Sequence, residues 1–187
     1  NWPPLRGVQR ELDQITALLP GSQKFLNETF TRDRLRQALQ EEDYSVIHLA
    51  THGEFGAEPK DTFLITGDGQ ILTIGELETA IRQSRATENI DLLTLTACKT
   101  AVGDNRSTLG LAGVAVQSGV RSAIASLWAI NDSSTAELMK SFYQSLNQPE
   151  ITKAKALQTS QISLLQRDDV FSRPGFWAPF VLVGDWQ

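Results

Sequence analysis

The sequence contains a single cysteine, Cys98, among its 187 residues. A disulfide within the chain is therefore impossible, and a metal site built from several cysteines is excluded. A lone thiol is typical of proteins in a reducing compartment, so we expect a cytoplasmic protein. Because an isolated cysteine is most often a small buried apolar residue, its neighbours must decide whether Cys98 carries chemistry.

Long apolar runs and clusters of basic residues are also missing from the sequence. No apolar stretch approaches the roughly 20 residues that a membrane-spanning helix needs, and residues 1–10 show no signal-peptide pattern. We therefore expect no membrane partner. The net charge is −5 and there is no long basic run, so direct binding of nucleic acid is not indicated.

Two common functional motifs are absent as well. There is no Gly-x-Ser-x-Gly elbow, which argues against a serine hydrolase, and there is no glycine-rich phosphate loop. Gly110 and Gly113 fall in a predicted helix, where small residues usually indicate close packing.

Apolar strands alternate with amphipathic helices along the chain. The composition, 41% hydrophobic and 21% charged, is typical of one globular domain, so we treat residues 1–187 as a single domain. The run 44–50 is nearly continuously apolar, as in a strand that is buried on both faces of a parallel sheet. Residues 90–97 and 121–127 are predicted as a second and a third core strand. The alternation predicts an α/β sandwich with a mostly parallel sheet. Further predicted strands are 24–27, a hairpin of 63–65 with 71–73, and 180–183; predicted helices are about 8–19, 31–42, 75–83, 107–118 and 152–166, with another that Asp132 caps.

Two of the predicted buried strands end in reactive residues. His52 and Gly53 follow the first strand, and Cys98 follows the second. Since the carboxyl ends of parallel strands share one sheet edge, adjacent strands would bring His52 and Cys98 together. A thiol attacks a carbonyl as the thiolate, and an imidazole supplies the base. The N–H groups of Gly53 and Cys98 are candidates for an oxyanion hole, where one donor is typically worth about 3–4 kcal/mol.

His48 precedes His52 by four residues, which raises the question of a metal pair. His48 lies within a predicted strand, where four residues span about 13 Å, too far for two ligands of one metal. No matching cluster of carboxylates stands nearby in the sequence. We therefore predict that His48 is a buried, hydrogen-bonded core histidine, and we expect no metal and no cofactor.

Five segments of the sequence resemble the CHAT domain, a bacterial branch of the caspase-like peptidases that often stands beside TPR repeats. The resemblance implies a caspase-like three-layer sandwich with helices on both faces and cysteine endopeptidase activity on a protein or peptide substrate. It assigns His52 as base and Cys98 as nucleophile, 46 residues apart, close to the roughly 50 of caspases. The caspase signature Gln-Ala-Cys-x-Gly is replaced by Thr-Ala-Cys-Lys-Thr, so caspase specificity does not follow. The matching segments are 48–53, 93–100, 109–112, 126–132 and 176–185.

The segment 127–132 is also similar to a stretch in separases, which cleave after arginine. This similarity implies that Asp132 binds a basic substrate side chain, as a carboxylate can. The alternative is that Asp132 only caps the helix that follows it.

Two further expectations concern the N-terminus and the partners. CHAT domains usually have an apolar strand before a segment like 5–19, and here residues 1–4 contain none, so we expect the domain to lack its first core strand. The resemblance also suggests TPR repeats or a regulatory protein as partners.

Two other functions remain open. One is a catalytically silent caspase-like interaction module, which would bind a partner or form a homodimer through residues 180–183. The other is a doubly wound binding domain in which Cys98 is merely packed in the core.

Overall fold

A computed structural model describes residues 2–54, 61–86, 89–96 and 116–187. Its central sheet has four strands in the order β1-β5-β6-β7, of which the first three are parallel and β7 is antiparallel to β6. A second, antiparallel sheet has the order β2-β3-β4. The described elements are helices α1 (Val8–Leu18), α2 (Arg32–Glu41), α3 (Ile74–Arg82), α4 (Asp132–Leu146), α5 (Lys153–Leu165) and α6 (Pro174–Trp177), and strands β1 (Val46–Leu49), β2 (Gly53–Glu54), β3 (Phe63–Ile65), β4 (Ile71–Thr73), β5 (Leu92–Leu95), β6 (Ser122–Ser126) and β7 (Phe180–Gly184).

The central sheet is covered by helices on both faces. Every residue of β5 and β6 is buried, because successive side chains point to opposite faces and both faces are packed. Helices α2 and α3 pack with Leu93 and Leu95 on one face, while α1, α4 and α5 pack with Leu92 and Ile124 on the other. The structure therefore confirms the predicted mostly parallel α/β sandwich.

The predicted strand at 24–27 is wrong. This segment is irregular and leads into a 3₁₀ turn at Asn27–Thr29. Asn27 has a φ of 49°, in the left-handed region that a continuing strand does not use. The Asn27 carbonyl lies very close to Gly67: a Cβ at position 67 would be 1.6 Å from the Asn27 oxygen. The segment is thus shaped by packing on the turn between β3 and β4, which local sequence does not reveal.

The capping role predicted for Asp132 is also wrong. The N-cap of α4 is Asn131, whose Oδ1 accepts hydrogen bonds from the N–H groups of Ser133 and Ser134, both at 3.1 Å. Asn131 has the extended backbone of a cap, and Asp132 is the first residue of the helix. Asparagine caps as well as aspartate does, so the sequence alone could not place the boundary between these two neighbours.

Parts of two predicted elements lie outside the described residues. Of the predicted helix 107–118, the structure describes only residues from Val116 onwards, and Val116 and Gln117 are helical. Ala97, at the end of the second predicted buried strand, also falls outside. Within the described ranges, no helix has the length and apolar character needed to cross a membrane.

Candidate active site

Strands β1 and β5 lie side by side and parallel, as the sequence predicted. Leu49, the last residue of β1, pairs with Leu95, the last residue of β5, so the two strands are offset by 46 residues. His52 stands three residues after Leu49, and in the sequence Cys98 stands three residues after Leu95. Cys98 itself, like the matching segment 109–112, lies outside the described residues.

The backbone of His52 is fixed by strand β3. The buried Thr51 donates its hydroxyl to the carbonyl of Ile65, and the N–H of Ile65 donates to the carbonyl of His52 at 2.8 Å. One residue of β3 therefore holds two of the three residues between β1 and β2. The predicted hairpin of β3 and β4 thus positions Thr51 and His52 beyond the edge of the central sheet.

The imidazole of His52 is held by Trp2 and Pro3 of the N-terminal segment, residues 2–7. The sequence did not predict this contact. The Trp2 indole stacks on it with ring centroids 5.1 Å apart and planes inclined by 27°. His52 Nε2 lies 2.6 Å from the carbonyl oxygen of Pro3. Since a carbonyl only accepts, Nε2 carries the proton in this hydrogen bond, and in the neutral ring Nδ1 keeps its lone pair. This is the tautomer in which Nδ1 can act as a base.

Gly53 is buried in the short strand β2, where it pairs with Leu64 of β3. The bond from Ile65 N–H to the His52 carbonyl flanks this pair, which makes Gly53 and Leu64 a non-hydrogen-bonded pair of the antiparallel ladder. The N–H of Gly53 is therefore directed away from β3. This geometry is compatible with the predicted role of Gly53 as an oxyanion donor.

His48 is a buried, hydrogen-bonded core histidine, as predicted. Its side chain is 6% exposed. Nε2 lies 3.0 Å from Glu11 Oε1, and Nδ1 lies 3.1 Å from the Tyr143 hydroxyl. The Tyr143 hydroxyl also contacts Thr94 Oγ1 at 3.0 Å. Because burial raises the pKa of Tyr143 above its ordinary value, this hydroxyl remains a proton donor at neutral pH.

Asp132 contacts the same N-terminal segment that holds His52. Its carboxylate accepts a long hydrogen bond, 3.5 Å, from the N–H of Gly7, four residues after Pro3. The side chain is partly exposed at the start of α4, beyond the carboxyl end of β6. Among the described residues, no group of three or more His, Cys, Asp or Glu side chains is arranged to hold a metal ion.

The mostly parallel sheet with helices on both faces is the arrangement of a caspase-like α/β sandwich. The family model of the CHAT domain matches residues 1–185, which is essentially the whole chain. The chain therefore belongs to the CHAT domain family, which is associated with the caspase-like cysteine peptidase fold. A search among curated proteins found no significant match.

Proposed function

We propose that this domain is a cysteine endopeptidase in which Cys98 is the nucleophile and His52 the general base. The observation that carries the proposal is the hydrogen bond from His52 Nε2 to the Pro3 carbonyl, because it leaves Nδ1 as the basic nitrogen. The equal offset of 46 residues in the β1–β5 register and between His52 and Cys98 supports it.

The reaction would proceed through an acyl-enzyme. His52 Nδ1 takes the thiol proton of Cys98, and the thiolate attacks the scissile carbonyl carbon. The N–H groups of Gly53 and Cys98 would bind the resulting oxyanion. Collapse of the tetrahedral intermediate breaks the C–N bond, and His52 gives its proton to the leaving amine. Water then attacks the thioester, which releases the acid and restores the thiol.

No carboxylate is needed to orient the base in this scheme. The Pro3 carbonyl fixes the tautomer of His52 and accepts from the imidazolium that forms, and the Trp2 ring restricts its rotation. In serine proteases an aspartate performs these two tasks. A backbone carbonyl lacks the full negative charge, so it supplies orientation with a smaller electrostatic contribution.

We further propose that Asp132 favours a basic side chain at the first substrate position. Its partly exposed carboxylate and its contact with the segment that holds His52 support this role. A carboxylate binds a guanidinium or ammonium group by charge-assisted hydrogen bonds.

Covalent labelling followed by intact mass tests the activity. Cys98 is the only thiol, so every adduct on sulfur reports on this residue. Peptidyl acyloxymethyl ketones with Arg, Lys, Asp or Leu at the first position should give one adduct, formed far faster than on a free thiol. Labelling should disappear in Cys98→Ala and slow sharply in His52→Ala. Equal rates for the protein and His52→Ala would refute the proposed base.

The same assay tests the proposed preference for a basic residue. The Arg and Lys probes should react faster than the Leu probe, and Asp132→Asn should remove the difference without changing the Leu rate. An unchanged preference in Asp132→Asn would assign this residue to packing against Gly7 alone.

The alternative function, a silent interaction module, is favoured by one observation. Strand β7 lies at the end of the described central sheet, with β6 on one side only. An exposed strand edge can pair with a second chain. If light scattering shows a dimer, and if no probe labels Cys98 faster than it labels a free thiol, the interaction module becomes the better hypothesis.

A further inference from the structure

The buried carboxylate of Glu11 has no role in the reaction as proposed. Glu11 lies in the first turn of α1 and is 2% exposed. Its Oε1 atom contacts His48 Nε2 at 3.0 Å and the Thr96 hydroxyl at 3.2 Å. A buried carboxylate costs several kcal/mol in desolvation, of the order that its partners return. Replacing a whole buried polar cluster with well-packed apolar side chains is often neutral for stability, so the cluster of Glu11, His48 and Thr96 points to a geometrical role.

The hydrogen bonds around Glu11 form one directed chain. With His48 neutral, Thr94 donates to the Tyr143 hydroxyl, Tyr143 donates to His48 Nδ1, and His48 Nε2–H donates to Glu11. Thr96 donates its hydroxyl to the same carboxylate. Every side-chain polar hydrogen of this network then has an acceptor, which is the condition under which a buried network fixes a single arrangement.

This network joins the three pieces of chain that meet at the proposed site. His48 is on β1, four residues before His52, and Thr96 directly follows β5, two residues before Cys98 in the sequence. Glu11 is on α1, which follows the segment that contacts the His52 ring. At the start of this helix, Gly7 packs closely against α4, because a Cβ at Gly7 would lie 2.7 Å from that of Asp132. A shift of α1 against the strands would therefore move Pro3 away from His52.

We propose that Glu11 is a positioning residue, which locks α1 to the ends of β1 and β5 so that the Pro3 carbonyl stays on His52 Nε2. The role rests on the proposed peptidase function. Glu11 touches neither substrate nor reacting atoms, and it acts through the placement of Trp2 and Pro3. A displacement on the order of 1 Å at the base can lower the rate by about 100-fold.

The test compares Glu11→Leu and Glu11→Gln with the full chain. Asp13→Asn is the matched control, because Asp13 lies on the same helix in an exposed ion pair with Lys24. For each protein we would measure the thermal midpoint, the pH profile of Cys98 alkylation by iodoacetamide, and the His52 ring signals by ¹⁵N NMR. The NMR signals report the Nε2–H tautomer and the contact with Trp2 without requiring any activity.

Glu11→Leu should remain folded, lose the Nε2–H tautomer as the single form of His52, and label at least about tenfold more slowly near neutral pH. Glu11→Gln should recover part of the rate, because its amide oxygen can still accept from His48. Asp13→Asn should match the parent protein. If Glu11→Leu folds and keeps the parent His52 signals and pH profile, the positioning role is overturned. If the leucine variant unfolds, the same result in Glu11→Gln overturns the role. If the parent thiol is unreactive while its His52 signals still depend on Glu11, the peptidase proposal fails and the positioning inference stands.

Discussion

Gly7 shows how closely helix α1 approaches helix α4. A Cβ at this position would lie 2.7 Å from the Asp132 Cβ and 2.8 Å from its carbonyl oxygen. Neither neighbour is the end of a flexible side chain, so the helices would have to separate. The close approach is what brings the Gly7 N–H to the Asp132 carboxylate. A sequence pattern gives no sign of it, because the two residues are 125 positions apart.

Gly7→Ala should therefore destabilise the protein by about 1–3 kcal/mol, the usual cost of forcing an extra group into a packed contact. Chemical denaturation monitored by circular dichroism measures the difference. Gly75→Ala is the matched control, since a Cβ at Gly75 in helix α3 would meet no atom within 4 Å. Alanine there should stabilise the helix by about 0.5–1 kcal/mol. Equal effects at the two positions would contradict the close contact.

The individual site residues differ in how far the sequence could predict them. His52 and Gly53 could be placed because they follow a strand whose apolar run indicates burial on both faces, and His48 because its strand spacing excludes a metal pair. Trp2 and Pro3 could not be predicted, since their contact with His52 joins residues about 50 positions apart and has no local pattern. The role of Glu11 could not be predicted either, because an acidic residue in the first turn of a helix ordinarily faces solvent.

At the scale of the elements, the strands of the central sheet were the most predictable part of the fold. Helices cover both faces of the sheet, so β5 and β6 are buried along their whole length, and their short, mainly apolar runs lack the pattern of an amphipathic helix. The segment 24–27 failed because its β-prone residues pack against Gly67 in a conformation that only the tertiary structure determines. The predicted helix starts were accurate where only one of two neighbouring residues could act as the cap, as at Thr31 and Thr152.

Helix α3 begins with a capping box whose stability should depend on pH. The Glu76 carboxylate accepts hydrogen bonds from the backbone N–H and hydroxyl of Thr73, at 2.8 and 2.9 Å, and these bonds lower the pKa of Glu76. A carboxyl whose pKa is lower in the folded than in the unfolded protein stabilises the fold above its unfolded pKa. That contribution is lost as the pH falls through the folded pKa.

Glu76→Gln keeps an acceptor for Thr73 but removes the negative charge, so it should reduce the unfolding free energy by about 0.3–1 kcal/mol at neutral pH, the usual value of an acidic side chain in the first turn of a helix. The difference from the parent protein should shrink as the pH falls below the ordinary glutamate pKa of about 4.3 and through the lower pKa of the folded Glu76. Urea denaturation at several pH values measures it. Glu78→Gln, on the same helix in a surface pair with Arg82, should cost at most about 0.5 kcal/mol. A Glu76 effect that is independent of pH would show that ionisation of the box contributes nothing.

At the scale of the whole molecule, the outer edge of β1 borders a groove of about 400 Å³ between α1 and α2. Thr96 N–H donates to the Leu49 carbonyl, so the polar backbone groups of Leu49 face β5. By the alternation of a strand, those of His48 face the groove. The side chain of His48 is buried, but the residue as a whole is partly exposed, as expected when its backbone is not covered by another strand. The groove is lined by apolar side chains of both helices, including Leu12, Ile15, Leu35 and Leu39.

A further strand would fit in this groove beside β1. If the edge is open, the His48 amide should exchange with solvent much faster than the Leu49 amide in native-state hydrogen exchange. Joining a short strand of Val and Ile ahead of Asn1 should protect the His48 amide and raise the thermal midpoint. The same extension with proline at alternate positions cannot donate to the edge and should do neither. Equal protection of His48 and Leu49 in the present chain would mean that β1 is already covered, and no further strand would be needed.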